Sequence, residues 1–178
     1  MLLAFVATPH PARATIVLAL DLAELTWRSD RIVVGDVVSV RPAWDARHER
    51  IDSTVEIAVV ESWKGAAAGG ERLVVVQPGG VVDGIAMRVV GMPRFVPGER
   101  AVVFLRGAPG GPSAVVGLAQ GKRTLRRDPA TGVFIAEGGA GGATTLAPDA
   151  SGRLRPAAAD PDRPLAELRA IVRDLVRR

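Results

Sequence analysis

Few side chains in this sequence are equipped for chemistry. Cysteine is absent and histidine occurs twice, at His10 and His48, which excludes disulfides, thiol nucleophiles and thiolate metal sites together. His48 stands in the polar run Asp45-Ala46-Arg47-His48-Glu49-Arg50, without the co-ligands that would let an imidazole hold a metal. Gly117-Leu118-Ala119-Gln120-Gly121-Lys122-Arg123-Thr124 approaches a phosphate loop. Its first glycine stands one residue too near the second, however, and Arg123 occupies the place of the serine or threonine that reaches magnesium. No Gly-x-Ser-x-Gly elbow occurs. Asp160 and Asp162 are close in sequence but lie in a proline-rich stretch, a poor support for a fixed general acid and base. No catalytic residue, metal or cofactor is therefore assigned.

Binding chemistry is better represented. The segment Gln77 to Phe95 passes through two turns rich in glycine and proline and carries Met87, Arg88, Met92 and Arg94. Thioethers adapt to irregular apolar surfaces, and guanidinium forks donate in fixed pairs. Gln77, Met87, Arg88, Met92 and Arg94 are the candidate binding residues. Arg169, Arg173 and Arg177 recur every fourth residue near the C-terminus and read as a solvated helix face, because clustered arginines repel without an acidic partner.

The elements that must position these groups are mostly strands. Asp21 to Arg28 predicts a short helix, with Asp21 and Glu24 spaced as a capping box and Leu22 and Leu25 on one face. Arg31 to Val40 reads as a buried strand, with Ile32, Val34, Val38 and Val40 on one side and Val33, Gly35 and Val37 on the other. Gly35 inside it signals a bulge or a close backbone approach. In Thr54 to Trp63, Val55, Ile57, Val59 and Trp63 share one face. Leu73 to Val76, Ile85 to Val90, Ala101 to Leu105 and Ala114 to Ala119 are further strands. Arg123 to Arg126 and Val133 to Ala136 flank a hairpin turn at Asp128-Pro129-Ala130-Thr131-Gly132. Residues 138–164 turn to glycine, alanine and proline, a linker or loosely packed loop. Leu165, Leu168, Ile171, Val172 and Leu175 then mark an amphipathic helix over 165–178.

The chain is 178 residues long with a net charge of +4, and that excess resides in Lys122 to Arg178, since acidic and basic residues nearly cancel between Thr15 and Gly121. A near-neutral body disfavours nucleic acid as partner. Tyrosine is absent and the body offers only Phe95, Phe104, Phe134 and three tryptophans as stacking platforms. No run approaches the roughly 18 apolar residues of a membrane-spanning helix. Residues 1–14 open with an apolar stretch and end in Ala12-Arg13-Ala14, the small-x-small form of a secretory cleavage site. Export, with Thr15 as the mature N-terminus, and a folded body over 15–137 are the expectations.

Three ordered pieces carry a resemblance: Ser29-Asp30-Arg31-Ile32-Val33-Val34-Gly35-Asp36-Val37, then Val55 to Gly65 ending in Ser62-Trp63-Lys64-Gly65, then Phe95 to Leu105. Their order resembles the bacterial exported relatives of the netrin-like, or TIMP-like, modules. The Gln77-Pro78-Gly79-Gly80 and Gly117 to Lys122 segments also resemble those of a poorly characterised group of exported bacterial proteins. The resemblance covers about Leu20 to Lys122 and implies a mainly β chain, an OB-type barrel of five strands with a flanking helix. Relatives that inhibit metalloproteases chelate zinc through an N-terminal cysteine, and a chain without cysteine lacks that mechanism. The expected function is an exported, non-catalytic binding or scaffolding module that contacts another exported or envelope protein through its loops. The alternatives are an OB-fold nucleic-acid binder and an enzyme with an unrecognised site.

Overall fold

The computed structural model describes residues 16–108, 110–139, 143–158 and 160–178. The leader and Thr15 lie outside the described residues. In chain order the elements are β1 (Ile16–Leu18), α1 (Leu22–Arg28), β2 (Arg31–Trp44), β3 (Ile51–Lys64), β4 (Arg72–Pro78), β5 (Gly80–Val82), β6 (Ile85–Met87), β7 (Arg100–Arg106) and β8 (Ala114–Val115). A 3-10 turn (Leu118–Gly121) precedes β9 (Lys122–Arg127), β10 (Phe134–Glu137), β11 (Thr144–Pro148), β12 (Leu154–Pro156), β13 (Arg163–Pro164) and α2 (Leu165–Arg177). The chain is mainly β, as its turn spacing indicated.

One sheet dominates, with strand order β13-β10-β9-β7-β2-β3-β4 and β8 lying beside β7. This sheet is open, ending at β4 and β13. The free side of β4 meets the segment before β8 at one point, where Ser113 N donates to Val74 O at 2.8 Å and Val76 N donates to Ser113 O at 3.0 Å. β7 is apolar on both faces because each face meets a core. On one side Ala101, Val103 and Leu105 join Val33, Val37, Val55, Ile57 and Val75 under Phe95. On the other, Val102 and Phe104 join Ile32, Val34, Trp63 and Leu125 beneath the helices, which contribute Leu25, Leu168 and Val172.

Local chemistry accounts for the helices. At the start of α1, Glu24 N donates to Asp21 Oδ1 at 2.8 Å and Asp21 N donates to Glu24 Oε2 at 3.2 Å, a reciprocal capping box. α2 buries Leu168 and Val172 and leaves its arginines outward. Two of those arginines are not simply solvated: Arg169 Nη2 donates to Glu61 Oε2 at 2.8 Å and Arg173 Nη2 to Glu61 Oε1 at 3.1 Å. β3 thus supplies the acidic partner that the stripe lacks on its own helix.

The β2–β3 pairing shifts register at three places, between Ile32 and Val33, Val34 and Gly35, and Val37 and Ser39, and the last two correct the expected faces. Val37 pairs with Ile57 but Ser39 with Glu56, so Val38 is an extra residue in β2. Parity flips there, which carries Val40 to the core of Val33 and Val37 rather than to that of Ile32 and Val34, and leaves Val38 exposed. Likewise Gly35 pairs with Val59 and Val34 with Glu61, making Val60 the extra residue in β3. Beyond it Glu61 meets α2 and Trp63 enters the helix-side core, opposite to Val55, Ile57 and Val59. Gly35 does mark a close approach, since a Cβ there would stand 2.3 Å from Ile57 Cγ2.

Other expected strands are shorter. Ala114 to Ala119 stops at β8, because Gly117 (φ 67) and Leu118 (φ 59) take left-handed backbone and start the 3-10 turn. Ile85 to Val90 is strand only as far as Met87, and it pairs with β5 in a separate hairpin rather than joining the main sheet. Asp83 (φ 51) and Gly84 (φ 76) form its two-residue turn of primed type. The Gly/Ala/Pro-rich stretch contains β11, β12 and β13, of which β11 pairs in parallel with β1.

Candidate binding cleft

The chain leaves β4 through Gln77-Pro78 and turns into the β5–β6 hairpin at Gly79 (φ 111) and Gly80 (φ 145). Only glycine suits Gly80 on both counts, backbone and space: a Cβ there would lie 2.5 Å from Pro42 Cβ. The hairpin base is fastened to β3 by three contacts. Gly79 N donates to Ile51 O at 2.8 Å, Ser53 Oγ donates to Gly79 O at 2.6 Å, and Ile51 N donates to Met87 Sδ at 3.3 Å. From the hairpin the chain returns through Met92-Pro93-Arg94-Phe95, and Gln77 Nε2 donates to Pro93 O at 2.9 Å. Gln77 Oε1 is buried with no hydrogen-bond partner among the described residues.

Between the hairpin and the far wall of Ala119, Lys122 and Thr124 lies an open cleft of about 570 Å³. Gln77, Met87, Arg88, Met92 and Arg94 all line it. The structure therefore brings the five sequence-assigned residues to one place. Ile85, by contrast, is 54% exposed, and Ile85, Met87 and Val89, which would share one face of a regular strand, join neither core. Arg88 and Arg94 are exposed and neither enters an ion pair among the described residues.

Lys122 is the residue of this site that sequence reasoning passed over. In the sequence it reads only as the lysine of an imperfect phosphate loop, yet it is 7% exposed and lines the cleft. Nζ donates to Arg94 O at 2.5 Å and Thr124 Oγ1 at 3.1 Å, and pairs with Glu99 Oε1 at 2.7 Å. It also lies 5.0 Å from the centre of the Phe95 ring. Three acceptors use all three ammonium protons, so this lysine organises the cleft rather than receiving a phosphate. The adjacent Asp83-Gly84 dipeptide was a readable hairpin signal and would have separated β5–β6 from the sheet.

The remaining titratable groups serve the fold. His48 stacks on Trp44 with ring centroids 5.7 Å apart. Asp162 Oδ1 accepts from Gly138 N at 3.0 Å, and Asp160 pairs with Arg123, which is 2% exposed. Burial first, then the neighbouring Arg163 charge, pull the Arg123 guanidinium down to about 10. Among the described residues no three His, Asp or Glu side chains gather as a metal site, and no helix is long and apolar enough to cross a membrane. No protein-family model, curated protein or solved structure matches this chain.

Proposed function

We propose that the chain is an exported, non-catalytic binding module of OB type that contacts another protein through the loops around this cleft. One observation carries the reading: Gln77, Met87, Arg88, Met92 and Arg94 converge on one open cleft. Its chemistry favours binding over turnover. Among the described residues the cleft lining includes no histidine or carboxylate, and the Lys122 ammonium is held by Glu99, so the cleft offers guanidinium and thioether contacts rather than a general acid and base pair. Phe95, the aromatic side chain at the cleft, is 7% exposed with Lys122 over its ring, and offers no face on which a base could stack.

The OB-type reading is supported by β2, β3, β4 and β7 surrounding a shared core and by the Val75–Ser113 bridge, which brings β4 back toward the strand paired with β7. Export rests on the small-x-small ending of residues 1–14. Protein recovered from the native cell envelope should begin at Thr15 on N-terminal sequencing. An intact Met1 on cytoplasmic protein would refute export.

The test of binding is the double substitution Arg88→Ala with Arg94→Ala, chosen because both side chains are exposed. Cross-linked capture of a partner from a native envelope extract should fall while the melting temperature stays within about 1 °C, as befits exposed surface sites. Unchanged capture would remove the cleft from consideration as the contact surface.

A further inference from the structure

We propose that the cleft takes an acidic, extended segment of its partner, with carboxylates on Arg88 and Arg94 and interleaved apolar side chains against Met87 and Met92; this rests on the binding reading above. Charge is the first support. Among the described residues three cationic side chains, Arg88, Arg94 and Lys122, line the cleft and no carboxylate does. Glu99 already neutralises Lys122, so the surplus belongs to the two arginines. Many arginines of this chain find carboxylate partners, Arg100 with Asp36 at 2.6 Å, Arg126 with Glu137 at 2.7 Å and Arg169 with Glu61 at 2.8 Å, whereas others such as Arg47 and Arg177 stand exposed without one among the described residues. Arg88 and Arg94 have no ion pair among the described residues, and both line this one cleft, as Arg47 and Arg177 do not.

The shape of the chemistry is the second support. A guanidinium donates two parallel N–H bonds to a carboxylate, and such paired bonds select planar anions over neutral groups. Beside the arginines the cleft lining is thioether and aliphatic, with Met87, Val89 and Met92. Unbranched thioethers accept side chains of varied shape. An extended segment alternates its side chains and can present acid and apolar groups in turn. The cleft is also open rather than enclosed, which suits a length of chain more than a small ligand.

The test uses the full chain and three synthetic peptides of about eight residues, the length of an extended recognition segment: alternating Glu and Val, alternating Gln and Val, and alternating Lys and Val. Calorimetric titration at low salt should show the Glu peptide binding at least about tenfold more tightly than the other two, with affinity falling as salt rises. Arg88→Ala with Arg94→Ala should erase that preference. Arg47→Ala with Arg177→Ala removes the same charge from exposed sites away from the cleft, and should keep it. Equal binding of the Glu and Gln peptides, or no binding of any, overturns the acidic-segment proposal. So does equal loss in the two double variants, which would mean long-range attraction alone. Tighter binding of a single-stranded oligonucleotide than of the Glu peptide overturns it in favour of nucleic acid. Partner capture separates the two layers: capture that still depends on Arg88 and Arg94 while the peptide preference is missing leaves the binding reading standing and the acidic class refuted.

Discussion

Ile57→Asp should yield a protein with no cooperative unfolding transition and a far-ultraviolet circular dichroism spectrum that has lost its strand signal. Ile57 is 0% exposed and belongs to the core to which β2, β3, β4 and β7 contribute. Its Cγ2 also fills the space that Gly35 leaves open. A carboxylate placed there has no partner and must either ionise in an apolar medium or bind a proton, at a cost of several kcal/mol. Total stabilities of roughly 5–15 kcal/mol leave little after such a loss. The neighbouring change Glu56→Ala is the control. Glu56 lies on the opposite face, where Ser39 Oγ donates to its Oε2 at 2.9 Å and Arg41 pairs with it at 3.1 Å. Partly exposed pairs of this kind contribute about 1 kcal/mol or less. A silent Ile57→Asp beside a damaging Glu56→Ala would show that the β3 register is inverted.

Lys122→Ala should lower stability by about 3 kcal/mol, the usual scale for removing one member of a buried ion pair. For a chain of this size that amounts to a melting temperature lower by roughly 6–12 °C. The loss comes from what stays behind. Glu99, with a side chain only 15% exposed, loses its counter-charge, and Arg94 O and Thr124 Oγ1 each lose a donor. Adding Glu99→Gln to Lys122→Ala should recover part of the loss, since the stranded charge is then gone. Thermal melts of the two single variants and the double variant measure this as a coupling energy. Additive losses would mean that Lys122 acts through its stem packing on Phe95 and not through its charge.

Much of the secondary structure was legible because its causes are local. The capping box of Asp21 and Glu24, the 3.6-residue recurrence of Leu165 to Leu175 and the Asp128 to Gly132 turn each lie within a few residues of the element they define. The turn is realised as Asp128 Oδ1 accepting from Ala130 N and Thr131 N, both at 2.9 Å. Gly35 was legible for a related reason, since a missing side chain inside an apolar run implies a neighbour close by. The five cleft residues could be picked out by type, as thioethers and guanidiniums beside glycine turns.

Their convergence could not. It needs the β5–β6 hairpin fastened to β3 through Ser53 and Met87, and Lys122 delivered at the start of β9 to pair with Glu99. Neither contact has a sequence period, because each joins elements brought together only by the order of strands in the sheet. The bulges at Val38 and Val60 were equally hidden: one inserted residue leaves no mark on composition, yet it reverses every face beyond it. Residue types and local spacing thus determined which elements form and which side chains are equipped to bind. The tertiary structure alone decided which faces meet the cores, which arginines find carboxylates and which two are left at an open cleft, because those outcomes depend on register and on partners distant along the chain.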